Sequence, residues 1–401
     1  MNFLSLEQVD VKKKRILVRV GYDVPLDEKG NITDNARIKE SLSTINYLLK
    51  QNAKIILLTH LGRPKGKNIT NLSTTKVAQE LSLLIKQPVA KLDDCIGKKI
   101  QEKINTMKAG EIVLLENVRF HVEEESEEAS IRNNFAKQLA SLADIYVNEA
   151  FSVSHRDSAS MSSLPLFLPA CAGLNLNREV TTITSTLENP KHPFIAIIGG
   201  IKLETKIPVI KYILPKVDKV LLAGAMVFTF YKAQGYEVGN SIVDEDLLST
   251  AKELLNSNKS KIVLPEDFII AEKIDPKAKP QKAAWNKIPK NMLALDIGVK
   301  TIATYKNQLK DAKTVIWNGP LGVYEIEQFA QGTKQIATYL AQLNTTTVIG
   351  GGDSSAALDS LGISNKITLI STAGGAALAL FSGETLPALE ALEESYKKHS
   401  K

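Results

Sequence analysis

Residues that could handle a phosphate recur in the second half of the chain. Val348-Ile349-Gly350-Gly351-Gly352-Asp353-Ser354 passes from β-prone residues through glycines to a carboxylate and a hydroxyl, and Ala356-Ala357-Leu358 continue with helical character. The pattern predicts a strand, a tight turn and the first turn of a helix. Glycines let backbone N–H groups approach a ligand, and a helix start leaves such donors unpaired beside partial positive charge. An anion would sit at Gly351, Gly352 and Ser354, with Asp353 free to hold a divalent cation. The same residues also read as an ordinary strand–helix turn with Asp353 or Ser354 as the N-cap. Thr372-Ala373-Gly374-Gly375-Ala376 repeats the device. Gly199-Gly200-Ile201-Lys202-Leu203-Glu204-Thr205-Lys206 follows another strand pattern and spaces Lys202 and Lys206 four apart, on one face if the segment is helical. Asn318-Gly319-Pro320-Leu321-Gly322-Val323-Tyr324-Glu325 adds a turn and a carboxylate.

The first half offers cations instead. Arg37 opens a helical pattern, His60-Leu61-Gly62-Arg63-Pro64 and Glu116-Asn117-Val118-Arg119 follow strand patterns, and Phe151-Ser152-Val153-Ser154-His155-Arg156 follows a third. Guanidinium forks suit phosphate and carboxylate oxygens, so arginines gathered on one sheet edge imply a small polyanion. The competing reading pairs each with a nearby acid such as Asp34, Glu123 or Asp157. Familiar phosphate signatures are missing: Gly62 to Asn68 is one residue short of a P-loop and ends in Asn68, and there is no G-x-G-x-x-G, H-R-D or D-F-G.

These segments need elements to hold them. Apolar β-rich runs at 15–20, 54–59, 111–116, 144–148, 193–198, 219–223, 261–264, 313–317, 346–349 and 367–371 alternate with helical patterns such as 37–51, 73–86, 129–143 and 245–256. Continuous apolar runs are expected where helices cover both faces of a parallel sheet. The fold class is α/β, with one Rossmann-like parallel sheet in each half. Ligands of such sheets bind beyond the strands' carboxyl ends, where the motifs above lie. A helical pattern at 177–188 followed by Asn189-Pro190-Lys191-His192-Pro193 marks the seam between the halves.

Composition agrees with a soluble enzyme. The 401 residues are 44% hydrophobic and 23% charged, with a net charge of +6 spread along the chain. No apolar run nears the ~20 residues of a membrane span, and the N-terminal residues lack a signal-peptide core. Two cysteines, Cys95 and Cys171, argue against a disulfide framework and for the reducing cytoplasm. Aromatics are 6% and no Lys/Arg tract is clustered, so nucleic acid is not an expected partner.

Taken together, the runs 18–25, 59–64, 116–121, 150–156, 198–206, 317–325, 350–354 and 371–376 resemble the phosphoglycerate kinases, in that family's order and across about 6–392. The resemblance implies a phosphoglycerate-binding domain (1–176), a helical hinge (177–192), a nucleotide-binding domain (193–382) and a segment (383–401) returning to the first domain. It implies reversible phosphoryl transfer between 1,3-bisphosphoglycerate and Mg-ADP, giving 3-phosphoglycerate and ATP, by a monomer. Arg37, His60, Arg63, Arg119 and Arg156 would bind the phosphoglycerate. Lys202, Lys206 and Asn318 would hold nucleotide phosphates, Glu325 the ribose, and Gly351, Gly352 and Ser354 the phosphate turn. Asp353 would coordinate Mg2+, and the backbone of Gly374 and Gly375 would face the phosphoryl group in flight. A carboxylate acceptor is ionised at neutral pH, so no general base is needed. Positioning and charge neutralisation remain, with Arg37 and Lys202 contributing from separate lobes that must close on each other.

Some residues depart from the family pattern. Gly21-Tyr22-Asp23 replaces Asp-Phe-Asn, so the aspartate expected to meet the substrate hydroxyl is absent. Positions i and i+2 of an extended segment share a face, so Asp23 could substitute in part; alternatively it adds negative charge beside an anionic ligand and weakens binding. Ala373 stands at a usual glycine, where a positive φ would be strained, and Ile201 puts bulk beside the phosphates. The rival readings are a nucleotide- or phosphate-binding protein that kept the fold but lost turnover, and, far behind, a basic nucleic-acid binder.

Overall fold

The computed structural model describes residues 2–399, with the side chains of Asp353, Ser355, Ala356 and Asp359 outside the description. The chain divides into one unit of residues 1–180 with 385–401 and a second of residues 181–384.

The first unit is built on β1 (Arg15–Val20), β2 (Lys54–Leu58), β3 (Val89–Lys91), β4 (Ile112–Leu114), β5 (Ile145–Glu149) and β6 (Ala170–Ala172), in the order β3-β4-β2-β1-β5-β6. All five pairings are parallel, with Val18 of β1 opposite Leu57 of β2 and Val147 of β5. Every residue of β5 and all but the first of β1 and β2 are buried, the burial of strands covered on both faces. Ile16, Val18, Leu57, Leu81, Leu114 and Val147 form part of the core. The expected helix at 37–51 is two, Ala36–Glu40 and Leu42–Lys50, because the chain turns at Ser41, whose Oγ donates to the Ile38 carbonyl at 2.9 Å. The C-terminal helix Pro387–His399 belongs to this unit, where Ser395 Oγ accepts the Ala170 N–H at 3.0 Å.

The helix Leu174–Glu188 carries the chain into the second unit and starts three residues before its sequence pattern suggests. Glu149 supplies the missing start signal from a distance. Its carboxylate takes the N–H groups of Asn175 and Leu176, each at 3.1 Å, and the Thr44 hydroxyl at 2.6 Å.

The second unit repeats the plan with β7 (Phe194–Ile198), β8 (Lys219–Leu222) and β9 (Ile262–Val263), then β13 (Thr314–Asn318), β14 (Thr346–Gly350) and β15 (Leu369–Ser371), ordered β15-β14-β13-β7-β8-β9 and all parallel. Between them lies an antiparallel sheet that no expectation covered: β10 (Asp267–Ala271), β11 (Gln281–Ala284) and β12 (Leu293–Ile297), ordered β11-β10-β12. β3 and β6 were not anticipated either. All three residues of β6 are buried, but the strand is too short to show a period, and β3 is partly exposed.

Candidate active site

In both units the singled-out motifs follow the carboxyl ends of parallel strands, so each set shares one sheet edge. In the first unit, the segment from Gly21 to Asp23 follows β1, His60 to Arg63 follow β2, Asn117 to Arg119 follow β4, and Ala150 to Arg156 follow β5.

Asp23 sits among the cations. One carboxylate oxygen accepts the Gly62 N–H at 2.7 Å; the other lies 3.9 Å from Arg37 Nη1 and 3.7 Å from His60 Nε2. Arg37 also donates to the Asp23 carbonyl at 2.6 Å. Arg119 is buried, donates to the Gly62 carbonyl at 2.9 Å and pairs with Glu125 at 2.6 Å. Of the acids proposed as structural partners, Asp157 pairs with Arg132 instead of Arg156. His60 is buried, and its proton affinity falls well below the usual imidazole value, first through burial and then through Arg19, Arg119, Arg37 and Arg156. Arg156 thus belongs electrostatically to the group. Arg63 is exposed, and among the described residues no hydrogen bond or ion pair ties it to the others. Gly21 leaves space that is nearly filled: a Cβ there would lie 3.1 Å from Ser152 Oγ.

Arg19 is the cation that motif reading passed over. It is fully enclosed on β1 and reaches His60 Nδ1 at 3.0 Å. The signal was present as a lone charge inside the apolar run Ile16-Leu17-Val18-Arg19-Val20, which a strand covered on both faces does not carry without a partner.

The second unit holds a pocket of about 500 Å³. Its lining includes Gly200, Lys202, Lys206 and Gly319, the apolar side chains of Phe228, Phe268, Leu293 and Leu295, and the exposed Glu325. The helix after β7 begins only at Ile207, so Lys202 and Lys206 lie on the preceding turn and not on a helix face. Asp244 pins that turn by accepting the Leu203 N–H at 2.6 Å. Lys206 Nζ donates to Asn318 Oδ1, and Asn318 Nδ2 donates to the Gly350 carbonyl at 2.7 Å, so one amide links the turn carrying Lys206 to the ends of β13 and β14. Glycine is required where these turns meet. A Cβ on Gly199 would stand 2.1 Å from the Pro320 carbonyl oxygen. Ile201 is 60% exposed beside the pocket. Part of the apolar wall, Phe268, Leu293 and Leu295, comes from the unanticipated β10 and β12, whose residues carried no motif.

The glycine turns form as the sequence predicts. Gly351 (φ +118°) joins β14 to the helix Gly352–Ser360, and Gly374 (φ +52°) joins β15 to Gly375–Phe381. The strain anticipated at Ala373 does not arise, because the positive φ falls on Gly374. Ser354 Oγ is buried without a hydrogen-bond partner among the described residues, and a Cβ on Gly351 would stand 3.9 Å from it. A buried hydroxyl left unmatched costs about 1–3 kcal/mol, an expense that a bound oxyanion or cation shell would relieve. The Ser354 hydroxyl therefore fits an oxyanion held at this turn. Asp353, the expected magnesium ligand, lies outside the described side chains.

The sequence profile of the phosphoglycerate kinase family matches residues 6–384. The phosphoglycerate kinase of Moorella thermoacetica is 45% identical over 394 residues, covering 98% of this chain and 99% of its own length. That of Synechococcus elongatus is 46% identical over 398 residues, covering 98% of each. Among solved structures, phosphoglycerate kinase from Coxiella burnetii superposes with a TM-score of 0.87 at 34% identity, covering 99% of this chain and 100% of that one. The enzyme from Pyrococcus horikoshii gives 0.88 at 32% identity, covering 98% and 100%. With a profile match and relatives that span nearly its whole length, the chain belongs to the phosphoglycerate kinase family.

Proposed function

We infer that the chain is a phosphotransferase moving a phosphoryl group reversibly between 1,3-bisphosphoglycerate and Mg-ADP, the glycolytic reaction that yields 3-phosphoglycerate and ATP. The observation that carries this reading is the second unit's pocket, which is lined by Phe228, Phe268, Leu293 and Leu295 together with Lys202 and Lys206. Apolar walls suit a base and the lysines suit phosphates.

In this reading the first unit binds phosphoglycerate through Arg37, His60, Arg63, Arg119 and Arg156. The second binds nucleotide through Lys202, Lys206, Asn318, Glu325 and the turn of Gly351, Gly352 and Ser354. The hinge is the segment 177–192, and 383–401 completes the first domain. Asp353 would hold magnesium, which would supply neutralisation of phosphate charge; a single protein carboxylate is a common share of such a site.

The acceptor needs no base. A carboxylate with an ordinary pKa near ~4 is already a nucleophile at neutral pH. The protein's work is orientation and charge. Arg37 aligns the acceptor's oxygens, and Lys202 offsets charge growing on the transferring group. N–H donors of Gly374 and Gly375 do the same without needing to reorganise. No helix among the described residues is long and apolar enough to cross a membrane; a cytoplasmic monomer is the state we propose. A coupled assay of ATP formation from 1,3-bisphosphoglycerate and ADP, with and without magnesium, tests the reading. ADP binding without any ATP formation would leave only the binding-protein alternative.

A further inference from the structure

We infer that Arg19 is a positioning residue that locks His60 as the neutral Nε2–H tautomer, so that His60 meets the anionic substrate as a single hydrogen-bond donor and not as a cation. This rests on reading the arginine cluster of the first unit as the phosphoglycerate site.

The chemistry of the contact runs one way. Arginine has five N–H donors, no acceptor, and is not deprotonated in proteins. Its Nη2 lies 3.0 Å from His60 Nδ1, so Nδ1 must present a lone pair. An imidazolium, or the Nδ1–H tautomer, would set N–H against N–H at that distance. The ring proton is therefore on Nε2, the nitrogen 3.7 Å from Asp23 Oδ2. That separation is too long for a hydrogen bond, which keeps Nε2–H available to an incoming oxygen.

Arg19 cannot swing away from this task. Its Nε donates to Ser160 Oγ at 2.9 Å and its Nη1 to the Val20 carbonyl at 2.6 Å. Ser160 Oγ donates in turn to the buried Glu124 carboxylate at 2.6 Å, and that carboxylate also takes the Ser160 N–H at 2.9 Å and the Ser158 hydroxyl at 3.0 Å. Tyr146 holds the same segment through the Ser160 carbonyl at 2.9 Å. Such a network is costly to bury, and replacing it with apolar residues is often neutral for stability, so its retention calls for a use. The groups bearing on His60 are Arg19, Arg37, Arg119 and Arg156, with Asp23 the one acid paired with it among the described residues. Four cations and burial hold the ring neutral, in the same sense as the hydrogen bond.

The alternative is that Arg19 only balances Glu124. The two separate on the intact protein. In ¹⁵N-histidine NMR spectra of the full chain, with His60 assigned through His60→Gln, we expect an unprotonated Nδ1 and a protonated Nε2 throughout pH 5–8. A protonated Nδ1, or an imidazolium within that range, overturns the inference. Adding 3-phosphoglycerate should then shift Nε2 and leave the tautomer as it was. A His60 signal blind to the ligand would sink the site reading while the tautomer assignment stands. In Arg19→Met we expect Nδ1 to become protonated in part and the phosphoglycerate KM to rise roughly tenfold, with a smaller change in kcat. Arg19→Lys, which also can only donate, should restore the tautomer. An unchanged His60 spectrum and KM in Arg19→Met would overturn the proposal; if that variant does not fold, the spectrum of the unaltered protein decides.

Discussion

The Asp23 carboxylate accepts the Gly62 backbone N–H at 2.7 Å and so ties the loop after β1 to the loop after β2, while its other oxygen stands 3.9 Å from Arg37 Nη1. The residue both organises the anion site and lowers its positive potential. An asparagine would keep the first property and lose the second.

The double variant Gly21→Asp, Asp23→Asn should therefore bind phosphoglycerate more tightly. The pair of changes moves the carboxylate from beside Arg37 to position 21 and leaves the net charge as it was; relieving an interaction worth ~1 kcal/mol at Arg37 corresponds to a KM about fivefold lower. The aspartate at 21 must displace the Ser152 hydroxyl slightly, since its Cβ would begin 3.1 Å from that oxygen. Steady-state KM for phosphoglycerate decides, and an unchanged value refutes the idea.

Lys202 is exposed and no hydrogen bond fixes its side chain among the described residues, so Lys202→Met should leave thermal unfolding in place. Loss of a charge aimed at the transition state should cut kcat by about 10²–10³. A drop in thermal stability matching the loss of rate would mean that the lysine is structural.

Ser354→Ala separates stability from binding. Because the hydroxyl is buried and unpartnered among the described residues, its removal should be neutral or stabilising by up to ~1 kcal/mol. Calorimetric titration with Mg-ADP should nevertheless show severalfold weaker binding. Equal affinity would detach Ser354 from the phosphate turn.

Asp296 gives the second unit a pH signature. The carboxylate is buried and pushed up to about 7 by that burial, although it accepts the N–H groups of Ile297 at 2.8 Å and Gly332 at 2.7 Å. A folded pKa above the unfolded value means that Asp296 contributes most at low pH, below ~3.8, and that this contribution is lost as pH rises towards 7. Asp296→Asn abolishes the titration. The stability of the unaltered chain minus that of the variant should accordingly fall from pH 5 to pH 7.5, by on the order of 3 kcal/mol. Trp285 and Trp317 both lie in this unit, so urea unfolding followed by tryptophan fluorescence measures it. A difference that rises with pH would reverse the assignment.

The sequence by itself determined the two parallel sheets and the glycine turns. Buried parallel strands write continuous apolar runs, and a chain that must take a positive φ at Gly351 and Gly374 writes glycine there. It also placed most of the site's cations after strand ends. What it could not carry was anything set by residues distant in the chain. Glu149 starts the helix at Leu174 from another strand, and the pocket walls on β10 and β12 are ordinary Phe and Leu until the sheet folds beside Lys206. Likewise nothing local to His60 says which ring nitrogen holds the proton. That was decided by Arg19, 41 residues away and adjacent only once β1 and β2 pair, because a hydrogen bond is specified by geometry that sequence separation does not record.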